Sequence, residues 1–143
     1  MQGNILRVFF DTNVLVSAFI AHGTSSEVFE HCLSSCQVYT SPLIMDELKD
    51  VLTSKFRLSV SRITEISEFL TNNLELVEAG RLEEKVCRDP DDDFVLAGAL
   101  AASTDCLITG DEDLLILKEY KDIRIIRPSD FWRFEKAFSS AHE

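Results

Sequence analysis

The sequence predicts an α/β fold with three layers, in which helices cover both faces of a central parallel sheet of four to five strands. Short apolar runs of strand length alternate along the chain with longer segments that carry helix signals. The first run, residues 5–10, is almost entirely apolar and ends in two phenylalanines, which is typical of a strand buried on both faces. The 143 residues contain no repeat, linker or low-complexity segment, so we expect one domain over residues 1–143.

Five segments are predicted to be strands because they are short and apolar, and because polar or turn-forming residues bound them. They are residues 5–10, 38–40, 74–77, 106–109 and 123–126. Segments with helix signals separate most of them, and a helical crossover is the usual way to join parallel neighbours in a sheet. The strands are therefore expected to run parallel.

Seven segments carry helix signals. In chain order they begin near Val14, Ser25 or Ser26, Ser41, Ile63, Asp92, Asp111 and Pro128. The third has the clearest start, because Ser41 can cap a helix and Pro42 suits its first turn. The fifth is predicted to open at Asp92-Asp93 and to continue through residues 94–102, whose small side chains allow close packing on a sheet.

The composition restricts the class of protein. With 14 basic and 25 acidic residues the net charge is −11, which argues against a protein that coats nucleic acid electrostatically. An enzyme that touches a few phosphates remains compatible, particularly if bound metal neutralises several acids. The four cysteines form no Cys-x-x-Cys pair and are interpreted as buried thiols in a reducing compartment. The longest apolar run is too short to span a bilayer, so we expect a cytoplasmic protein with no membrane partner.

Acidic residues follow the predicted strands at one edge of the sheet. Asp11 ends the first strand, and Glu47 lies in the helix after the second. Asp93 starts the helix after an acidic loop, and Asp111 follows the fourth strand. Carboxyl ends of parallel strands share one edge, where ligands bind in α/β sheets. Each Asp could instead be a helix cap, but Glu47 lies beyond the capping positions.

Four converging carboxylates cannot all stay ionised without compensation, because each raises the pKa of the others. A divalent cation is the natural compensation, and an all-oxygen set of ligands favours Mg²⁺ or Mn²⁺. Such an ion can activate water and stabilise charge on a phosphodiester. The acids therefore predict a hydrolytic metal site.

The same acids stand in motifs that resemble those of the PIN domain family. The motifs are Phe10-Asp11-Thr12-Asn13, Glu47 in a helix led by Pro42, Asp93 with Phe94-Val95-Leu96-Ala97, and Thr109-Gly110-Asp111. They extend the likeness over most of the chain, from residue 8 to about residue 131. The triple-Asp run at residues 91–93 and the Thr-Gly-Asp-x-Asp-Leu run resemble those of bacterial and archaeal PIN proteins predicted to be toxins of toxin–antitoxin pairs.

The resemblance implies a flavodoxin-like sheet and a metal-dependent ribonuclease acting on single-stranded RNA. The acids that it implies as catalytic metal ligands are Asp11, Glu47, Asp93 and Asp111, with Asp113 as a further ligand. The side chains that it implies orient those ligands or a water are Thr12, Asn13 and Thr109. Asp91 or Asp92 could share the role given to Asp93.

Two alternatives belong to other classes of protein. A haloacid-dehalogenase-type phosphatase also begins with a strand that ends in Asp and has a late Gly-Asp-x-x-x-Asp pattern. Position 13 is Asn here, where that chemistry needs a second Asp. The other alternative is a PIN-like module that acts through binding alone, and the complete set of four acids weighs against it.

Nucleic-acid contacts are predicted in the densest basic stretch of the chain, which follows Glu47. Its residues are Lys49, Lys55, Arg57 and Arg62. They are expected to hold phosphates beside the metal, and the alternative is an ordinary solvated helix surface.

Two protein partners are expected as well. Apolar side chains such as Phe19 and Phe69 exceed what a small sheet can cover, which favours a homodimer. The family resemblance adds a small antitoxin, whose tail would place a basic side chain in the acidic cleft.

Overall fold

A computed structural model describes residues 5–141 as six strands and seven α-helices. The strands are β1 Arg7–Phe10, β2 Gln37–Thr40, β3 Glu75–Leu76, β4 Cys106–Ile108, β5 Glu119–Tyr120 and β6 Ile123–Ile126. The helices are α1 Thr12–Ile20, α2 Thr24–Ser35, α3 Pro42–Ser54, α4 Val60–Asn73, α5 Pro90–Ala101, α6 Glu112–Leu115 and α7 Phe131–Ala141. A short 3₁₀ turn, Pro128–Asp130, precedes α7.

The strands form one sheet in the order β3-β2-β1-β4-β6-β5. The first five strands in that order pair with one another in parallel, which confirms the predicted parallel sheet. The sixth strand, β5, pairs with β6 in antiparallel register and was not predicted. It is only two residues long, and its residues, Glu119 and Tyr120, form no apolar run. A tight turn joins it to β6, with Lys121 and Asp122 both at positive φ, as a two-residue hairpin requires.

Adjacent phenylalanines at the centre of the sheet show that helices pack on both of its faces. Side chains alternate between faces along a strand. The ring of Phe10 packs edge-on against Phe29 of α2, with 5.4 Å between ring centroids. The ring of Phe9 lies against Gly98 of α5 instead. Both phenylalanines are fully buried, so the predicted three-layer architecture is confirmed.

Gly98 is where α5 comes closest to β1, and its replacement by Ala is expected to destabilise the protein. A β-carbon there would lie 2.7 Å from Cζ of Phe9, which the close-packed core holds in place. Overpacking costs about 1–3 kcal/mol, which exceeds the roughly 1 kcal/mol that a helix gains from Ala over Gly. Thermal melting should therefore show a lower Tm for Gly98→Ala. Gly80→Ala is the control, because nothing lies within 4 Å of its added carbon, and equal Tm values for both variants would contradict the argument.

Helix α5 begins earlier than the sequence analysis predicted. Its first residue is Pro90, and Asp89 caps it by accepting a hydrogen bond from the N–H of Asp91 at 3.0 Å. The Asp-Pro pair is a helix start of the same kind as Ser41-Pro42, whose predicted cap is found on α3. The three aspartates 91–93 therefore lie inside the first helical turn, which decides the direction in which each one points.

Within residues 5–141, none of the helices combines the length and the apolar character that crossing a membrane requires.

Candidate metal centre

An acidic cleft of about 540 Å³ opens between the carboxyl ends of β1 and β4, helix α3 and the starts of α1 and α5. The acidic residues that line it are Asp11, Glu47, Asp50, Asp89, Asp91, Asp92 and Asp111. Three of the four acids predicted to converge, namely Asp11, Glu47 and Asp111, are among them. The fourth predicted acid, Asp93, does not line the cleft.

Asp11 forms the floor of the cleft and is 6% exposed. Its Oδ1 accepts a hydrogen bond from the N–H of Thr12 at 2.7 Å, which caps α1. Its Oδ2 accepts one from the hydroxyl of Thr109, also at 2.7 Å. The side chain is thus both a helix cap and a cleft residue, so the two interpretations of Asp11 coexist.

Burial raises the pKa of Asp11, and repulsion from Asp111 and Glu47 adds to this effect. The hydrogen bonds from Thr109 and Thr12 act in the opposite direction but do not cancel it. An ionised Asp11 is therefore costly in the protein alone.

Of the three side chains predicted to orient the acids, Thr12 and Thr109 hydrogen-bond to acids, and Asn13 bonds to the backbone instead. Thr12 donates its hydroxyl proton to Oε1 of Glu47 at 2.8 Å. Thr109 accepts a hydrogen bond from the N–H of Asp111 at 3.0 Å while it donates to Asp11. The side-chain oxygen of Asn13 accepts a weaker bond from the N–H of Gly110 at 3.4 Å. Thr109 thus links Asp11, which follows β1, to Asp111, which follows β4.

The structure places Asp92 in the cleft and Asp93 outside it, whereas the sequence analysis placed Asp93 with the other acids. The carboxylate of Asp93 accepts hydrogen bonds from the N–H groups of Val86 and Cys87, at 3.1 and 2.7 Å. It therefore fastens the preceding loop to α5. Successive helical residues point about 100° apart, so Asp92 and Asp93 project from α5 in different directions. Asp92, 6% exposed, is the one of the two that lines the cleft.

Asp92 also belongs to a compact group of three carboxylates. One oxygen from each of Asp92, Asp111 and Asp113 lies within 4.8 Å of the other two. Asp113 is the outermost member and is held by Arg88, whose guanidinium lies 3.0 and 3.2 Å from its two oxygens. The predicted further ligand, Asp113, is thus part of this cluster and also pairs with Arg88.

The donor atoms of this cluster fit a hard divalent cation. They are carboxylate oxygens, the ligands that Mg²⁺ and Mn²⁺ prefer. Burial, a hydrogen bond with Asp111 and repulsion from the neighbouring acids raise the pKa of Asp92 to about 7. Carboxylates held in this way gain most from a nearby positive charge.

The stability of the metal-free protein is expected to fall as the pH rises toward neutrality. The folded-state pKa of Asp92, about 7, lies above its ordinary value of 3.8. Protonation of Asp92 therefore stabilises the fold fully below pH 3.8, and this stabilisation is lost as the pH rises through about 7. Melting curves in EDTA across this range should show it.

Asp92→Asn, which cannot titrate, provides the comparison for that experiment. Its Tm should vary less over the same pH range. Parallel curves for the two proteins would show that Asp92 does not titrate as described.

The basic stretch predicted to bind phosphates is only partly at the cleft. Lys55 lines the cleft. The other three basic residues are exposed and do not line the cleft: Lys49 lies on α3, Arg57 in the turn after it and Arg62 on α4. Arg62 forms an ion pair with Glu65 at 3.6 Å. The sequence analysis also missed Phe56, which lines the cleft beside Lys55 and could have been found from the basic-aromatic-basic run Lys55-Phe56-Arg57.

Comparison with known proteins agrees with this geometry. A family model described as PIN domain matches residues 7–113, a range that contains all of the acids that line the cleft. A comparison with curated proteins gives no match.

Three crystal structures with the same fold are similar to this chain. VapBC2 from Rickettsia felis, bound to a DNA fragment from its promoter, gives a TM-score of 0.61 at 17% identity and covers 84% of this chain and 97% of that one. VapC20 from Mycobacterium tuberculosis, described as a toxin that cleaves the sarcin–ricin loop, gives a TM-score of 0.55 at 14% identity; the match covers 82% of this chain and 98% of that one. FitAcB from Neisseria gonorrhoeae gives a TM-score of 0.55 at 15% identity, and the match covers 85% of this chain and 98% of that one. At these identities the likeness shows a shared fold, and together with the family model it confirms the predicted resemblance to the PIN domain family.

Proposed function

Because the chain belongs to the PIN domain family, we propose that it is a metal-dependent ribonuclease that hydrolyses phosphodiester bonds of single-stranded RNA. The observation that carries this proposal is the convergence of Asp11, Glu47, Asp92 and Asp111 on one open cleft. The raised pKa values of Asp11 and Asp92 support it, because an enzyme site is where such costly acids are expected.

We assign the metal to these four acids, with Asp92 in the place that the sequence analysis gave to Asp93. Either Mg²⁺ or Mn²⁺ suits the oxygen ligands. The bound ion would lower the pKa of water and stabilise the charge that develops on the phosphodiester. Asp113 is a further candidate ligand, and its carboxylate is shared with Arg88.

The chain's own residues would prepare this site before substrate arrives. Thr109 and the N–H of Thr12 fix both oxygens of Asp11, and the hydroxyl of Thr12 fixes Glu47. Ligands held in one orientation need little rearrangement to bind an ion. Lys55, at the wall of the cleft, would hold a substrate phosphate.

We also propose that the protein is the toxin of a toxin–antitoxin pair and acts as a homodimer in the cytoplasm. The similarity to VapBC2 and FitAcB supports an antitoxin partner. The acidic cleft would attract a basic side chain from that partner. The free cysteines suit a reducing compartment. A strict monomer by light scattering at micromolar concentration would remove the dimer from this proposal.

A substrate comparison tests the proposed activity. Purified protein is incubated with end-labelled single-stranded RNA, single-stranded DNA and duplex RNA, each with Mn²⁺ and with EDTA. We expect cleavage of single-stranded RNA with Mn²⁺ only. Hydrolysis of p-nitrophenyl phosphate without RNA cleavage would indicate a phosphatase instead. Mn²⁺ binding without any turnover would indicate a binding module.

A further inference from the structure

Phe56 is an aromatic side chain in the wall of a cleft that is lined mainly by acidic and other polar residues. It lines the same cavity as the four acids, and 37% of its surface is exposed. Single exposed apolar side chains are common on protein surfaces, but this one lies in the cleft that we propose binds the substrate. Its open face is therefore available to a ligand with an apolar surface.

The backbone holds Phe56 in this place. Helix α3 ends at Ser54, and the chain then turns through Arg57, which has a φ of 53°. The N–H of Leu58 bonds back to the carbonyl of Leu52 at 3.0 Å, and the N–H of Phe56 bonds to that of Val51 at 3.3 Å. These two bonds and the positive φ of Arg57 tie the turn back to the last turns of α3. The ring is thus carried by a fixed turn.

Lys55 lies next to the ring and lines the same cleft. Its ammonium nitrogen is 5.8 Å from the ring centroid of Phe56, within the range of a cation–π contact. An aromatic face beside a cation is the combination with which proteins bind single-stranded nucleic acid, because the ring stacks on a base and the cation holds the adjacent phosphate. Neither feature depends on the sequence of bases.

We infer that Phe56 and Lys55 form a nucleobase subsite, in which Phe56 stacks on an unpaired base of the substrate while Lys55 holds a neighbouring phosphate. The inference rests on the proposed ribonuclease function and specifies how that site selects unpaired strands. A base in a duplex has both faces covered by its neighbours, so it cannot stack on Phe56. An apolar side chain of a protein partner is the competing occupant, but it would have no need of the adjacent cation.

A fluorescence measurement tests stacking without requiring turnover. Trp132 is the chain's one tryptophan and lies on α7. The double variant Phe56→Trp, Trp132→Phe therefore reports on the subsite alone. Titration with a single-stranded oligonucleotide in Mg²⁺ should quench its emission, and the same oligonucleotide with abasic positions should not. Equal responses to the two strands, or none to either, would overturn the inference.

A cleavage measurement gives a second, independent result. Phe56→Leu keeps an apolar side chain but removes the aromatic face, so KM should rise about tenfold while kcat changes little, as expected for one lost stacking contact. Removing the contacted base from the RNA should raise the wild-type KM similarly and leave that of Phe56→Leu unchanged. Phe69→Leu is the control, because Phe69 is similarly exposed (41%) but packs against Phe19 outside the cleft.

The outcomes separate the inference from the function on which it rests. Failure of the wild type to cleave any RNA would contradict the ribonuclease, and the fluorescence titration would still decide whether bases stack on position 56. Wild-type cleavage with an unchanged KM in Phe56→Leu would overturn the subsite alone. Phe56 would then be assigned to a protein partner.

Discussion

Asp92→Asn is expected to reduce the rate of RNA cleavage by about a thousandfold, and Asp93→Asn is expected to leave it nearly unchanged. Asn keeps the shape of Asp and removes the charge that would bind the ion. Metal-derived stabilisation of the transition state amounts to several kcal/mol, and each 1.4 kcal/mol corresponds to about a factor of ten in rate. The adjacent position is the matched control, because Asp93 is bonded to the loop at Val86 and Cys87.

The stabilities of the same two variants are expected to change in opposite directions. Asp93→Asn loses the charge that two backbone N–H groups share, so it should be less stable by about 1–2 kcal/mol. Asp92→Asn relieves repulsion among the acids and should raise the Tm of the metal-free protein. Chemical denaturation in EDTA and single-turnover cleavage in Mn²⁺ measure the two effects. If Asp93→Asn were the inactive variant, the assignment of Asp92 would be wrong.

The second large effect is expected for Asp11→Asn, in which the stabilisation by Mn²⁺ should shrink. At a concentration 100 times Kd, an ion that binds only the folded state stabilises it by about 2.7 kcal/mol, and a site ten times weaker gains about 1.4 kcal/mol. Removing a ligand charge should weaken the site at least that much. Melting curves with and without Mn²⁺ give the difference directly.

In EDTA the same variant should be more stable than the wild type. Burial is the largest cause of the raised pKa of Asp11, and repulsion from Asp111 and Glu47 adds to it, so a neutral Asn relieves both effects. Asn offers only one acceptor oxygen, so it loses the bond from either Thr109 or Thr12, at a cost of about 1 kcal/mol. In the wild type the unfavourable effects outweigh the hydrogen bonds, so their relief should exceed this loss. If Asp11 were only the cap of α1, Asn would replace it with little change in stability and none in the effect of Mn²⁺.

The fold could be predicted from the sequence because its signals are local and repeated. The apolar run around Phe9 and Phe10 indicated a strand buried on both faces, and Ser41-Pro42 indicated the start of α3. The rule that parallel strands end at one edge then placed Asp11, Glu47 and Asp111 together without any knowledge of their contacts. The strand β5 was not predicted, because its two residues owe their conformation to a turn and to pairing with β6.

The parts of the site that the structure places differently from the sequence analysis depend on helix rotation and tertiary contact. A shift of two or three residues in the start of α5 changes which of Asp91, Asp92 and Asp93 faces the cleft, and helix boundaries are the least certain feature of a sequence. The contact of Arg88 with Asp113 joins residues 25 apart in the sequence. Local sequence patterns do not specify contacts of this kind.

The rate of cleavage of end-labelled single-stranded RNA, measured as Mn²⁺ is added to metal-stripped protein, tests the proposed metal centre most directly. The predicted result is no cleavage in EDTA and a rate that rises with Mn²⁺ to saturation, with Asp92→Asn purified and measured alongside to exclude a contaminating nuclease. Cleavage that is independent of Mn²⁺, or that is equal in wild type and Asp92→Asn, would contradict the assignment of the acidic cleft as the catalytic site.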